Sequence, residues 1–207
     1  MITKQELEKK IKILTNKLEV GLYDDVIYDV KKLLKISSDQ VFFNIASIAY
    51  QAKGDYDTSI KILESELKSN PKNIFFLNNL GLSYFKKNDL KIAEYFYKRA
   101  MDVNPNYLNI LNNYGNLKKE LDLFDEAIEY FKKALLLNEN SLEVNYNLAT
   151  VYQGIGDYKN AITYFEKASN INSNFTKVDR SISSMTNYTE ENRHFVSMKK
   201  KILNKDL

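Results

Sequence analysis

The side chains in this 207-residue chain best placed to do chemistry are carboxamides. Asn79, Asn113 and Asn147 stand 34 residues apart, and Asn44, Asn78 and Asn112 keep the same interval one position earlier. A carboxamide both donates and accepts hydrogen bonds. A row of them, one structural repeat apart, matches the backbone of an extended peptide whatever side chains that peptide carries. The same groups can instead bond neighbouring helices or water, and the spacing leaves both uses open. Asn116 and Tyr146 fall beside the rows and join them as candidate contacts, with Phe75, Lys86, Asn109, Lys119 and Gln153 nearby.

Other chemistries find little to work with. The chain has no cysteine and one histidine, His194, so thiolate or imidazole metal sites and Cys/His or Ser/His/Asp catalysis lack their parts. No base or nucleophile stands near His194, which is expected to be a solvated or cap-bonding side chain. Carboxylates are spread evenly along the sequence, and no glycine-rich phosphate loop occurs. The expectation is therefore a chain without catalytic activity, metal or cofactor.

Thirty basic against 27 acidic residues give a net charge of +3, too little for the footprint that a phosphate backbone demands. Fifteen Tyr and eleven Phe without interleaved Arg are expected to fill grooves between helices rather than stack bases. The Lys199-Lys200-Lys201 run suits a solvated helix end. Neither an apolar leader nor a stretch long enough to cross a bilayer is evident, so the expected setting is cytoplasmic, with no membrane partner.

The elements that position the amides follow from a second set of periodic residues. Ser47, Gly81, Gly115 and Ala149 form one row of small side chains; Ser59, Ala93, Ala127 and Ala161 form another, and Ala100, Ala134 and Ala168 a third, all at an interval of 34. Small residues let helix axes approach, while bulky ones such as Leu63, Tyr97 and Phe131 fill the grooves between ridges. Gly156-Asp157-Tyr158 supplies a turn within one repeat, and Asn70-Pro71 and Asn104-Pro105 end helices because proline has no amide hydrogen to donate. Stacked helical hairpins are the architecture that a period of this length specifies.

The stretch from Leu142 to Phe175 resembles the tetratricopeptide repeat (TPR) family consensus at nearly every signature position, and the three repeats before it fit the same frame. The resemblance implies an all-α, right-handed superhelical solenoid of antiparallel helix pairs. Its repeats would run over 40–73, 74–107, 108–141 and 142–175, after a degenerate one over 1–39 and before a C-terminal capping helix pair over 176–207. In the degenerate repeat, Leu7, Ile11, Leu14 and Leu18 make one helical stripe and Val26, Val30, Leu33 and Leu34 its partner, with Thr3 and Glu6 spaced for a capping box. At the other end Phe175, Val178, Ile182 and Met185 continue a stripe, and Thr189-Glu190-Glu191 precedes Phe195, Met198, Ile202 and Leu203. Four residues depart from the family pattern: Lys118 where an aromatic is preferred, Glu66 for Ala, and Glu139 and Ser173 for Pro.

In such arrays the first helix of each pair lines a concave surface, which would put Asn44, Asn78, Asn79, Asn112, Asn113, Asn116, Tyr146 and Asn147 on the partner-binding face. The clamp of Lys, Asn and Arg with which some TPR proteins hold a terminal carboxylate matches Asn79 but is not expected here, because Asn44, Ile48, Asn109 and Asn113 occupy its other places. The function implied is a non-catalytic scaffold that binds a protein or an extended peptide. Two alternatives accompany it: the recruiting portion of a multidomain or split sulfotransferase- or glycosyltransferase-like enzyme, whose linker the tail 175–202 resembles, and a self-assembling scaffold.

Overall fold

A computed structural model describes residues 3–185 and Val196. Among them are eleven α-helices and no strands: α1 (Lys4–Glu19), α2 (Tyr23–Leu33), α3 (Gln40–Ala52), α4 (Tyr56–Ser69), α5 (Ile74–Lys86), α6 (Leu90–Val103), α7 (Leu108–Glu120), α8 (Phe124–Leu137), α9 (Leu142–Gly154), α10 (Tyr158–Ile171) and α11 (Thr176–Ser183). The chain divides after Pro105 into two compact units. Unit 1 holds α1 to α6 and unit 2 holds α7 to α11. Within each, a helix packs on its successor and odd-numbered helices also touch one another, the pattern of stacked hairpins.

The rows of small residues do the work their spacing implies. Ser47, Ser59, Ala93, Ala100, Ala127, Ala134, Ala149, Ala161 and Ala168 are all fully buried. Gly81 and Gly115 are buried too, and the reason is steric: a Cβ on Gly81 would lie 2.5 Å from the Tyr97 ring, and one on Gly115 2.8 Å from the Phe131 ring. α5 and α7 thus each lie against the aromatic ring sixteen residues beyond their glycine. In unit 1 the core continues through Leu14, Val26, Val30, Phe42, Ile45 and Ala49, with Leu7, Ile11, Leu18 and Leu34 packed around it.

Caps set the helix boundaries. Thr3 and Glu6 form the expected capping box, and Asp39, Asp55, Asn73 and Asp157 each accept from an amide in the first turn of the following helix. Such a cap contributes about 1 kcal/mol. Hairpin turns place one residue in the left-handed region at a regular interval: Gly21, Gly54, Asn88, Asp122 and Gly156. Asn and Asp tolerate that conformation better than other side chains do.

The departures from consensus are accommodated locally. Asn70, Asn104, Asn138 and Asn172 cap the C-termini of α4, α6, α8 and α10. After Asn138 and Asn172 no proline presets the turn, and there the Asn side chain accepts from the amide two residues on, at 3.1 Å from Asn140 and 3.0 Å from Asn174. The loop without proline at Glu139 is also held from inside, since the buried Asn145 amide donates to the Glu139 carbonyl at 2.9 Å and the Ser141 carbonyl at 2.8 Å. Lys118 fills the slot that Tyr84 and Tyr152 occupy in neighbouring repeats. Only 6% exposed, it passes its ammonium over the Tyr114 ring at 5.0 Å and reaches the Glu126 carboxylate at 3.0 Å.

At the C-terminal end Val178 and Ile182 of α11 are buried, as their stripe requires. Thr189, Glu190, Glu191, His194, Phe195, Met198, Lys199, Lys200, Lys201, Ile202 and Leu203 lie outside the described residues.

Candidate functional site

The candidate face is built from the first helices of the pairs. Residues spaced i, i+3, i+7 and i+10 share one side of a helix. On α3 this stripe is Val41, Asn44, Ile48 and Gln51, and on α5 it is Phe75, Asn78, Leu82 and Phe85. In unit 2 it becomes Asn109, Asn112, Asn116 and Lys119 on α7, and Glu143, Tyr146, Thr150 and Gln153 on α9. Most of these side chains are half-buried, while Phe75, Asn109 and Glu143 are exposed.

The amides bond across the stripes. In unit 1 the Asn79 amide nitrogen donates to Asn44 Oδ1 at 2.7 Å, and that of Asn78 donates to Asn79 Oδ1 at 3.2 Å. In unit 2 Asn147 donates to Asn112 Oδ1 at 2.9 Å, and Asn112 donates to Glu143 Oε1 at 3.0 Å. The rows are thus rungs tying one first helix to the next. Asn78, Asn79 and Asn112 are buried in making them, whereas Asn44, Asn113, Asn116 and Asn147 keep part of their surface. Asn44 Nδ2, Asn147 Oδ1 and the Asn116 amide find no partner among the described residues and remain available. Tyr146 packs edge-on against Phe175 with ring centres 5.1 Å apart and lies 5.5 Å from Phe165, so its ring also serves the core of α9, α10 and α11.

Below the rungs lies a difference that side-chain types alone do not announce. Gln51 Nε2 donates to the Asn79 carbonyl and to Ser83 Oγ, each at 2.8 Å, and Ser83 shares a hydrogen bond of 3.2 Å with Ser59. Two repeats later the same places hold Lys119, Val151 and Ala127. Val151 offers Lys119 no acceptor. Among the described residues the half-buried ammonium has no ion-pair partner, and burial holds it below the ordinary lysine pKa, against a weaker opposing influence from Glu120. Lys119 belongs to the wider sequence candidates, but its isolation shows only once the residues opposite are known. Near this face Tyr84 is shifted as well: desolvation, then its 2.7 Å hydrogen bond to Glu64, pushes its phenol up to about 12.

Among the described residues no three His, Cys, Asp or Glu side chains cluster in a way that could hold a metal, and no helix is long and apolar enough to cross a membrane.

The stacked hairpins, the buried rows and the rungs define a helical-repeat scaffold. Models of the tetratricopeptide repeat match residues 41–74, 76–107 and 106–174, and the chain belongs to that family. Solved structures bear out the fold. A thermophilic TPR protein of Thermus thermophilus, TTC0263, superposes with a TM-score of 0.78 at 19% identity, covering 86% of this chain and 97% of that one. MamA superposes with a TM-score of 0.60 at 25% identity over 72% of this chain and 84% of its own, and pilF of Pseudomonas aeruginosa with 0.63 at 21% over 78% and 68%. Comparison with curated proteins gives no match. The TPR fold is that of protein-interaction scaffolds, and this chain is built as one.

Proposed function

We propose that the chain is a non-catalytic adaptor, in a cytoplasmic setting, whose first-helix faces each take a stretch of extended partner peptide. The observation that carries this reading is the set of amide groups left over after the rungs are made: Asn44 Nδ2 and the Asn116 amide, half-buried in their stripes, and Asn147 Oδ1 beside the α9 stripe. Such groups meet a peptide backbone without regard to its sequence. Asn78, Asn79 and Asn112 act with them by setting the distance between stripes within each unit.

The two faces select different segments. The α3–α5 face presents Val41, Ile48, Leu82 and Phe75, the last 49% exposed, and takes apolar side chains. The α7–α9 face presents Asn109, Asn116, Thr150 and the unpaired Lys119, and takes polar or acidic ones.

Selection from a displayed library of random dodecamers tests the reading. Peptides held by the α3–α5 face are expected to be rich in apolar residues and to lose about tenfold or more in affinity with Phe75→Glu, a surface change that leaves the melting midpoint near the parent's. Selected peptides that bind Phe75→Glu and Lys119→Glu as tightly as the parent would refute it.

A further inference from the structure

Away from the first-helix faces, the hairpin-turn edge of unit 2 carries side chains that helix chemistry disfavours there. In unit 1 the α1–α2 turn is also apolar, with Val20 and Leu22, but the C-caps of α3 and α5 are Lys53 and Lys87, and the N-caps of α4 and α6 are Asp55 and Asp89. These are the charges a helix dipole favours at those ends. The lysines also bridge to the preceding helical hairpin, Lys53 to Asp24 and Lys87 to Asp57, the second pair 2.5 Å apart. In unit 2 the C-caps of α7 and α9 are Leu121 and Ile155, and the N-cap of α8 is Leu123, which makes no side-chain cap bond. A leucine at an N-cap forgoes about 1 kcal/mol relative to Asp.

The apolar side chains stay open to solvent, with Leu123 at 41% and Ile155 at 45%. They converge. Leu123, Phe124 and Ile155 line one surface recess, and the rest of its lining is Asp122, Asp125 and Glu126. Among the described residues no cation belongs to that lining, and the Lys118 ammonium that reaches Glu126 comes from a buried position inside the hairpin.

We propose that this recess is a second docking surface, independent of the first-helix faces, and that its occupant is a segment of another protein in which a Leu, Ile or Phe is flanked by Lys or Arg. The apolar side chain covers Leu123, Phe124 and Ile155, and the flanking cations meet Asp122 and Asp125, since Glu126 is already bridged by Lys118. An acidic segment would set like charge against those two carboxylates, and charge complementarity disfavours it.

The dodecamer library, selected on the parent and counter-selected on a Leu123→Asp/Ile155→Lys variant, tests this. Unit 1 already carries both residue types at matching places, so the variant is expected to fold, which its circular dichroism checks; Ile155→Lys alone serves if it does not. Expected are peptides with Leu, Ile or Phe beside Lys or Arg, bound about tenfold more weakly by the variant and progressively more weakly as salt rises. These peptides should bind Phe75→Glu as well as they bind the parent, which separates this surface from the groove. Failure to enrich any peptide over the variant, or enrichment of acidic or uncharged ones, overturns the proposal. So does light scattering that shows the parent pairing with itself and the variant monomeric, because the occupant would then be a second copy.

Discussion

The two units use one backbone plan and dress it differently. The α3–α6 hairpins of unit 1 carry Val41, Ile48, Phe75 and Leu82 on their first-helix stripes and Lys53, Asp55, Lys87 and Asp89 at their turns, although the α1–α2 turn holds exposed Val20 and Leu22. Unit 2 carries Asn109, Asn116, Lys119 and Thr150 on its stripes and Leu121, Leu123 and Ile155 at its turns, with Asp157 capping α10. Beneath the surface they differ again. Unit 1 buries the hydroxyls of Ser59 and Ser83, where unit 2 buries Ala127 and Val151. Rows of small residues fix how closely helices approach and are shared by both units. Everything that those rows do not constrain is free to diverge, and a binding surface is made from that freedom.

The deepest difference is the easiest to break. Val151→Ser places in unit 2 the hydroxyl that Ser83 supplies in unit 1, but Lys119 and Ala127 cannot answer it as Gln51 and Ser59 do. Lost apolar burial and an unsatisfied hydroxyl together cost about 2–4 kcal/mol, read from urea unfolding. Adding Lys119→Gln and Ala127→Ser transplants the whole network and is expected to return at least about 1 kcal/mol of that loss. A triple variant no more stable than Val151→Ser alone would mean that the two seams differ in backbone geometry and not only in side chains.

Glycine tests the feature that the units share. Gly81→Ala sets a methyl 2.5 Å from the Tyr97 ring, and Gly115→Ala sets one 2.8 Å from the Phe131 ring. Overpacking of this kind costs about 1–3 kcal/mol, against up to about 1 kcal/mol gained from helix propensity. Both substitutions are expected to destabilise in urea, Gly81→Ala more than Gly115→Ala.

How much of this is legible beforehand follows from what each residue must satisfy. Ser47, Gly81, Gly115 and Ala149 announce themselves because a close helix approach admits nothing larger, so the constraint is written in every repeat. The Thr3–Glu6 capping box is local and equally plain. The amide rows are visible as a period, yet which atoms pair depends on the rotation of adjacent first helices, and only the structure gives Asn79 to Asn44 and Asn147 to Asn112. Lys118 reads as a defect because a single sequence does not reveal that a lysine stem can fill an aromatic slot while Glu126 receives its charge. The recess at Leu123 and Ile155 is illegible for the opposite reason: leucine and isoleucine beside helices read as ordinary core, and their exposure is a fact of geometry.

Alkali should separate the units. Tyr97 is fully buried in unit 1, and burial raises its phenol pKa; the same place in unit 2 holds Phe131 and Phe165. Tyr84, also in unit 1, is pushed up to about 12 by desolvation and its bond to Glu64. A phenol whose folded pKa lies above its unfolded value near 10 favours folding fully below pH 10 and loses that contribution as pH rises through the folded value. Unit 1 is therefore expected to loosen above about pH 10, followed by amide exchange resolved by helix. Tyr97→Phe with Tyr84→Phe should flatten that pH dependence, and an unchanged alkaline limb in the double variant would assign the loss elsewhere.

The smallest effect tests the turn residues that both units have in common. Asn88 in unit 1 and Asp122 in unit 2 hold φ of 65° and 57°, where Gly21, Gly54 and Gly156 stand in the other hairpins. Glycine removes the Cβ clash of the left-handed conformation but brings more backbone entropy to the unfolded chain, so the net gain from Asn88→Gly or Asp122→Gly is a few tenths of a kcal/mol, at most about 1. The two gains should be equal, because the strain is one of backbone and not of surroundings. Asp122→Gly carries a second consequence that Asn88→Gly lacks: it deletes a carboxylate from the recess, so basic peptides selected there should bind less tightly and with a shallower salt dependence. A thermal melt paired with peptide binding thus reads one substitution twice, and unchanged affinity at Asp122→Gly would show that this carboxylate takes no part in the recess.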